Sequence, residues 1–449
     1  MKIHPKDLAL EEFFLALGEH QQAFLSHLLQ CNGCRRRLHA VLGRISAEDA
    51  GEAEEESGWA PVGVDLEVGE GPADPLAVQA QNLLEEREVA PGLFVELMGL
   101  SADRQLLLIR NSPRFRTWGL CELLLERCGD AAVENPRDAA QMSLLALEIA
   151  AQLSKTHPDP RLVEDLRARA WTCLGNARRV MSDFLGAEEA FRKAEESLLR
   201  GSKDPLERAF FLDRLASLRR DQREFTEALS LLRRSVAIFR RMGDSHSAGR
   251  SLVKMDTVYR YAGRPEKGAA LLSQGIELID ADREPRLALC GHHNLLDYLA
   301  DTGRFREAQK LYGEIRPLYH SFPDAVTQAR RQWIKAKISV GLGRPKQAER
   351  LLLKARTTFI AEEMAYDSAL VSLELALLYA RGGRDADLKQ LAEEMLAIFA
   401  SLHVHREALA ALRFLQRALD AEQVSLEVVT QVARFLRRAE HDPGLRFEP

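Results

Sequence analysis

Apolar residues recur three and four positions apart along most of the chain, so the predicted elements are amphipathic helices. In WTCLGNARRVMSDFLGAEEAFRKA, residues 171–194, Trp171, Leu174 and Gly175 share one face of a first helix. Ala187, Phe191 and Ala194 share the facing side of a second. Small residues let the two helices touch and large ones fill the seam. Later segments copy this skeleton: aligned on Ala187, the second helices present Ala228, Gly268, Ala308, Ala348 and Leu388, a spacing of about 40 residues. A leucine or aromatic follows four positions on at Phe191, Leu232, Leu272, Tyr312 and Leu352, the last repeat departing with Ala392. Gly263-Arg264, Gly303-Arg304, Gly343-Arg344 and Gly383-Arg384 mark the turns between helices, where glycine takes the left-handed conformation that closes the first helix.

Around this core the pattern divides the chain into five parts. Residues 1–45 form an N-terminal module and residues 46–75, rich in Asp, Glu, Gly and Pro without periodicity, form an acidic flexible linker with a lone Trp59. Residues 76–113 read as a cap of three short helices, punctuated by Pro91 and N-capped at Ser101. Residues 114–442 carry the repeats, opening with a degenerate hairpin that has an extended turn, becoming regular after Pro160 and closing with a final helical pair. Residues 443–449 read as a loose tail.

W-x2-L-G followed by Ala, Phe and Ala at these spacings resembles a tetratricopeptide repeat. The resemblance implies an all-α fold, a right-handed α-solenoid of helical hairpins. The spacing exceeds the usual length of about 34 residues and falls near that of HEAT and armadillo units. The two-helix units and the Ala-x3-Phe/Leu pattern favour the tetratricopeptide class with longer helices, similar to the arrays of bacterial transcriptional regulators and kinesin light chains.

In the N-terminal module, Leu8, Leu10, Phe13, Phe14 and Leu17 pattern one amphipathic helix and Phe24, Leu25, Leu28 and Leu29 begin another. His27 and Cys31 lie four apart on one face and Cys34 follows the Asn32-Gly33 turn, which gathers three ligands suited to tetrahedral Zn2+. His4 is the best candidate for the fourth. The plainer alternative is a chance pair of cysteines beside a surface histidine. The H-x3-C-x2-C arrangement resembles the zinc-binding anti-sigma domain of bacterial sigma-factor regulators, over roughly residues 4 to 40. That resemblance implies His4, His27, Cys31 and Cys34 as ligands of a structural zinc, and a redox switch at Cys31 and Cys34 as a second reading. The basic segment that follows, RRRLHAVLGRIS, is short for a helix that clasps a sigma factor.

Composition narrows the classes. The formal net charge of -5 gives no global basic field, so direct nucleic-acid binding is not expected. No apolar run approaches the length of a membrane span and no signal peptide opens the chain, so a cytoplasmic protein without membrane attachment is expected. Of six cysteines, Cys121, Cys128, Cys173 and Cys290 sit in apolar helical patterns and read as small buried hydrophobes. No catalytic constellation emerges: His292 and His293 beside Cys290 point to different sides of a helix.

By helical phase the first helices should line a concave surface with Arg169, Thr172, Asn176 and Arg179, then Phe210, Asp213, Ser217 and Arg220, then Arg250, Val253, Thr257 and Arg260. Cys290, His293 and Asp297 follow, then Arg330, Trp333 and Lys337. This reads as a basic groove for an acidic peptide or protein segment, guanidinium groups gripping carboxylates in forked geometry. The alternative is that these arginines pair with carboxylates on adjacent helices. The acidic segment EAEEE, residues 52–56, is a candidate tethered competitor for the groove. The expected function is therefore non-enzymatic: a regulator with a sigma-factor-type zinc head and a partner-binding solenoid. The second expectation is a scaffold unrelated to transcription, in which zinc is purely structural.

Overall fold

Prolines and aspartates set the helix starts. Pro136, Pro160, Pro205, Pro265, Pro285 and Pro345 each occupy the first turn, where a missing N–H costs nothing. The carboxylates of Asp183, Asp204 and Asp324 accept from the backbone N–H groups of Gly186, Leu206 and Thr327 at 2.8–2.9 Å. At the other end of the first helices, Gly263, Gly303, Gly343 and Gly383 adopt φ of +64 to +74°, the left-handed closure expected from the Gly-Arg turns. Ser182 and Arg223 take the same conformation, φ 62° and 69°, without being glycine.

The computed structural model describes residues 75–155, 157–401, 426–439 and 446–447. They are all-α, with no strand among them. The helices are α1 (Pro75–Met98), α2 (Ala102–Asn111), α3 (Trp118–Glu134), α4 (Pro136–Leu153), α5 (Pro160–Val180), α6 (Phe184–Arg200), α7 (Pro205–Asp221), α8 (Phe225–Arg241) and α9 (Ser245–Tyr261). They continue as α10 (Pro265–Leu278), α11 (Pro285–Asp301), α12 (Phe305–His320), α13 (Ala325–Gly341), α14 (Pro345–Ala361), α15 (Ala365–Arg381), α16 (Asp385–Ser401) and α17 (Leu426–Ala439). None is long and apolar enough to cross a membrane.

The chain forms two compact units, one up to Ser251 and one from Leu252. In each, consecutive helices pair as antiparallel hairpins and first helices stack on first helices, the tetratricopeptide arrangement. In the first unit Leu93, Leu97, Ile109, Leu120, Leu124, Leu145 and Ile149 form the core of the cap and first hairpin. Here α1 and α3 approach so closely that a Cβ on Gly119 would lie 2.6 Å from the Glu86 backbone. In the second unit, Ala336, Ala348, Leu352, Phe359, Leu375, Leu388 and Val432 join α13 to α17.

Two local expectations are corrected. The cap begins not with two short helices but with one, α1, which runs through Pro91. Proline removes one hydrogen bond there, but Ala90, Leu93 and Leu97 bury the opposite side and hold the helix together. The turn of the first hairpin is not extended: α3 continues through Glu134, and Asn135 caps both helices as its side chain accepts from Asp138 N. Phe447, in the segment read as a loose tail, lies edge-on to Phe435 at 5.0 Å.

Candidate partner-binding face

Among the first-helix positions singled out in the sequence, Arg169, Arg179, Arg260 and Lys337 are held by carboxylates of the neighbouring hairpin. In the first unit Arg169 of α5 grips Glu207 of α7 with Nε and Nη2. Arg179 donates to Asp221 Oδ2 at 2.6 Å and, through Nε and Nη2, to Asn176 Oδ1 at 3.2 and 3.0 Å. Arg220 shares Asp221, its Nε 2.7 Å from Oδ1. Arg250 Nη2 reaches Ser247 Oγ at 3.5 Å. Thr172, Asn176, Asp213 and Ser217 are buried. In this unit the polar line therefore sits largely in the seam between first helices, where forked Arg–carboxylate pairs tie one hairpin to the next.

In the second unit Arg260 donates to Asp297 Oδ2 at 2.6 Å, and Lys337 contacts Asp297 and, at 2.7 Å, Asp301. Burial alone would raise the Asp297 pKa, but Lys337 and Arg260 hold it well below the usual carboxylate range. His293 places Nδ1 2.7 Å from the Tyr319 hydroxyl, and burial lowers its pKa to about 4, so the ring is neutral at physiological pH. His292 turns the other way, Nδ1 2.8 Å from the Ala288 carbonyl. Cys290 is exposed, not buried as its apolar neighbours suggested: Leu289 and Gly291 face the core and it does not.

Arg330 differs from the other groove arginines. Its side chain is 50% exposed and approaches Asp367 only at 4.0 Å, beyond hydrogen-bond distance. One turn on, Trp333 packs edge-on against Phe359 with centroids 6.0 Å apart, and its indole Nε1 is buried with no hydrogen-bond partner. A buried indole N–H without an acceptor is costly, and carbonyl oxygens satisfy it well. Arg330 and Trp333 on α13, with Cys290 exposed on α11, form the part of this face best furnished to receive a ligand.

The carboxylates Glu207, Asp221, Asp301 and Asp367 were missed from sequence because helical phase was counted along one helix at a time. The signal was present as spacing: Arg169–Glu207, Arg179–Asp221 and Arg260–Asp297 are separated by 38, 42 and 37 residues, about one repeat. The proposed zinc ligands His4, His27, Cys31 and Cys34, Trp59 and the acidic segment 52–56 lie outside the described residues. Among the described residues no group of three or more His, Cys, Asp or Glu side chains is arranged to hold a metal ion.

No family model matches the chain, and no curated protein matches its sequence. Solved structures share its fold. A Rap protein complexed with competence and sporulation factor aligns with a TM-score of 0.53 at 14% identity, covering 72% of this chain and 87% of that one. The apo form of RapI aligns with a TM-score of 0.52 at 13% identity, covering 82% of this chain and 100% of that one.

Proposed function

We propose that this chain is a non-enzymatic regulatory protein that acts by holding a peptide or protein segment on its first helices, with Arg330 and Trp333 as the anchor. The observation that carries this reading is the half-exposed Arg330 guanidinium, which approaches Asp367 only at 4.0 Å, one turn from Trp333 on α13. Arg330 takes an acidic side chain or terminal carboxylate, and the partly exposed Trp333 ring lies one turn away to pack against the same segment. Of the remaining groove residues, Arg169, Arg179, Arg260 and Lys337 contribute by tying the first helices of successive hairpins together. That a structure of the same fold contains bound competence and sporulation factor supports a binding role.

The N-terminal residues complete the proposal as a zinc-stabilised regulatory head, its metal held by His4, His27, Cys31 and Cys34 and its partner a sigma factor or similar protein. With four protein ligands the zinc is structural. The acidic segment 52–56 then serves as a tethered competitor for Arg330. The test is a labelled synthetic peptide of residues 48–58 titrated at low salt against the full chain and against a chain lacking residues 48–56. The deletion should tighten binding several-fold; identical affinities would remove the competitor.

A further inference from the structure

The outward side of α1 carries exposed apolar and acidic residues side by side. Leu84, Val89 and Val95 are 48%, 55% and 72% exposed, while Ala90, Leu93 and Leu97 on the opposite side are buried. Leu84 and Val95 are three turns apart on one face, with the exposed Glu88 and Pro91 between them. A Cβ built on Gly92 meets nothing within 4 Å, so the surface is open. Glu85 and Glu96 lie beside the line from Leu84 to Val95, between it and Val89, and are exposed like Glu88. Glu85 accepts from Gln81 at 3.1 Å and Glu96 is reached by Arg114, itself 60% exposed.

The same chain contains a segment of complementary pattern. In RRRLHAVLGRIS, residues 35–46, Leu38, Val41, Leu42 and Ile45 recur at helical spacing, and Arg35, Arg36, Arg37 and Arg44 surround them with no acidic residue. About 28 residues, rich in Gly, Pro and acid, separate it from Pro75, and a flexible chain of that length would span about 30 Å r.m.s.. The 24 residues of α1 extend for about 36 Å, so such a chain reaches any point of that face. Tethering at that length gives an effective concentration on the order of millimolar, enough to populate a contact of modest intrinsic affinity. A second copy of α1 fits less well, because it would set Glu85, Glu88 and Glu96 against their own kind.

We infer that residues 35–46 dock on the exposed face of α1, with Leu38, Val41, Leu42 and Ile45 over Leu84 and Val95 and the arginines beside Glu85, Glu88 and Glu96. The N-terminal module is thereby fixed to the cap, with no part in binding at Arg330. Hydrogen exchange on the full chain tests it. Amides of residues 38–45 should exchange at least tenfold more slowly in the wild type than in L84D/V95D, and R35E/R36E/R37E should release them equally. Adding E85K/E88K to the arginine variant should restore protection. Amides of α1 report in parallel that the helix stays folded, and if L84D/V95D loosens α1 the two charge variants decide. Unprotected exchange at 38–45 in the wild type would overturn the docking. So would protection that survives every variant, which places its origin inside the N-terminal module, and protection that rises with protein concentration, which assigns the face to a second copy.

Discussion

The carboxyl of Asp256 on α9 occupies the room that a methyl group at Gly268 on α10 would need. A Cβ on Gly268 would lie 2.4 Å from Asp256 Oδ1 and 2.9 Å from its Cα. At the equivalent positions other hairpins carry two small residues, such as Ala216 with Ala228 and Ala336 with Ala348. Here the first helix has gained a buried acid and the second has lost its methyl, so the volume of the seam is conserved.

Gly268→Ala should therefore destabilise by about 1–3 kcal/mol through overpacking, despite alanine's better helix propensity. In an Asp256→Ala background the carboxyl clash is gone and only the 2.9 Å approach to the Cα remains, so the same change should cost less than in the wild type. Denaturant melts of the two single variants and the double variant give the coupling directly. Additive effects would show that the two positions do not share one space.

Asp256 is 2% exposed and its Oδ2 has no hydrogen-bond partner. Burial raises its pKa from 3.8 to about 6, against the opposing pull of Arg260. Between those values the folded state keeps a proton that the unfolded chain has released, so stability falls as pH rises through that window. Thermal melts of Asp256→Asn should lack this component. The wild type should lose up to about 3 kcal/mol relative to the variant between pH 4 and 6, with little further change above. A pH-independent difference would contradict the buried, protonated acid.

At the turns after α5 and α7, Ser182 and Arg223 hold left-handed backbone that glycine holds in the four following units. Ser182→Gly should stabilise by about 0.5–1 kcal/mol. Arg223→Gly should gain less, because the Arg223 guanidinium lies 5.3 Å over the Phe225 ring and that contact is lost. Chemical denaturation ranks the two, and the reverse order would contradict this account.

The contrast between these turns and the groove shows what was legible in the sequence. The Gly-Arg turns and the small-residue seam are local to one hairpin, and the repeat spacing follows from aligning those local patterns along the chain. The pairing of Arg169 with Glu207, or of Lys337 with Asp297 and Asp301, joins different hairpins, and only the stacking of first helices brings those residues together. For the same reason the groove read as basic when only its own helical faces were counted, although the opposing carboxylates lay about one repeat away. Pro91 misled for a different reason: its local preference for ending a helix is outweighed by the burial of Ala90, Leu93 and Leu97.

Metal analysis addresses the N-terminal residues. Protein purified without chelator under reducing conditions should contain one zinc per chain, lost in Cys31→Ser and in His27→Ala. Among the described residues no group of three or more His, Cys, Asp or Glu side chains is placed to offer an alternative site. Zinc retained at full stoichiometry by Cys31→Ser would exclude the proposed ligand set.

The anchor at Arg330 and Trp333 is tested most directly by the affinity of the labelled peptide of residues 48–58 for Arg330→Ala, set beside wild type at low ionic strength in the background lacking residues 48–56. Loss of a charge-assisted contact of about 1.5 kcal/mol predicts roughly tenfold weaker binding, a deficit that shrinks as salt screens the interaction. Equal affinity of the two proteins at low salt would contradict the account.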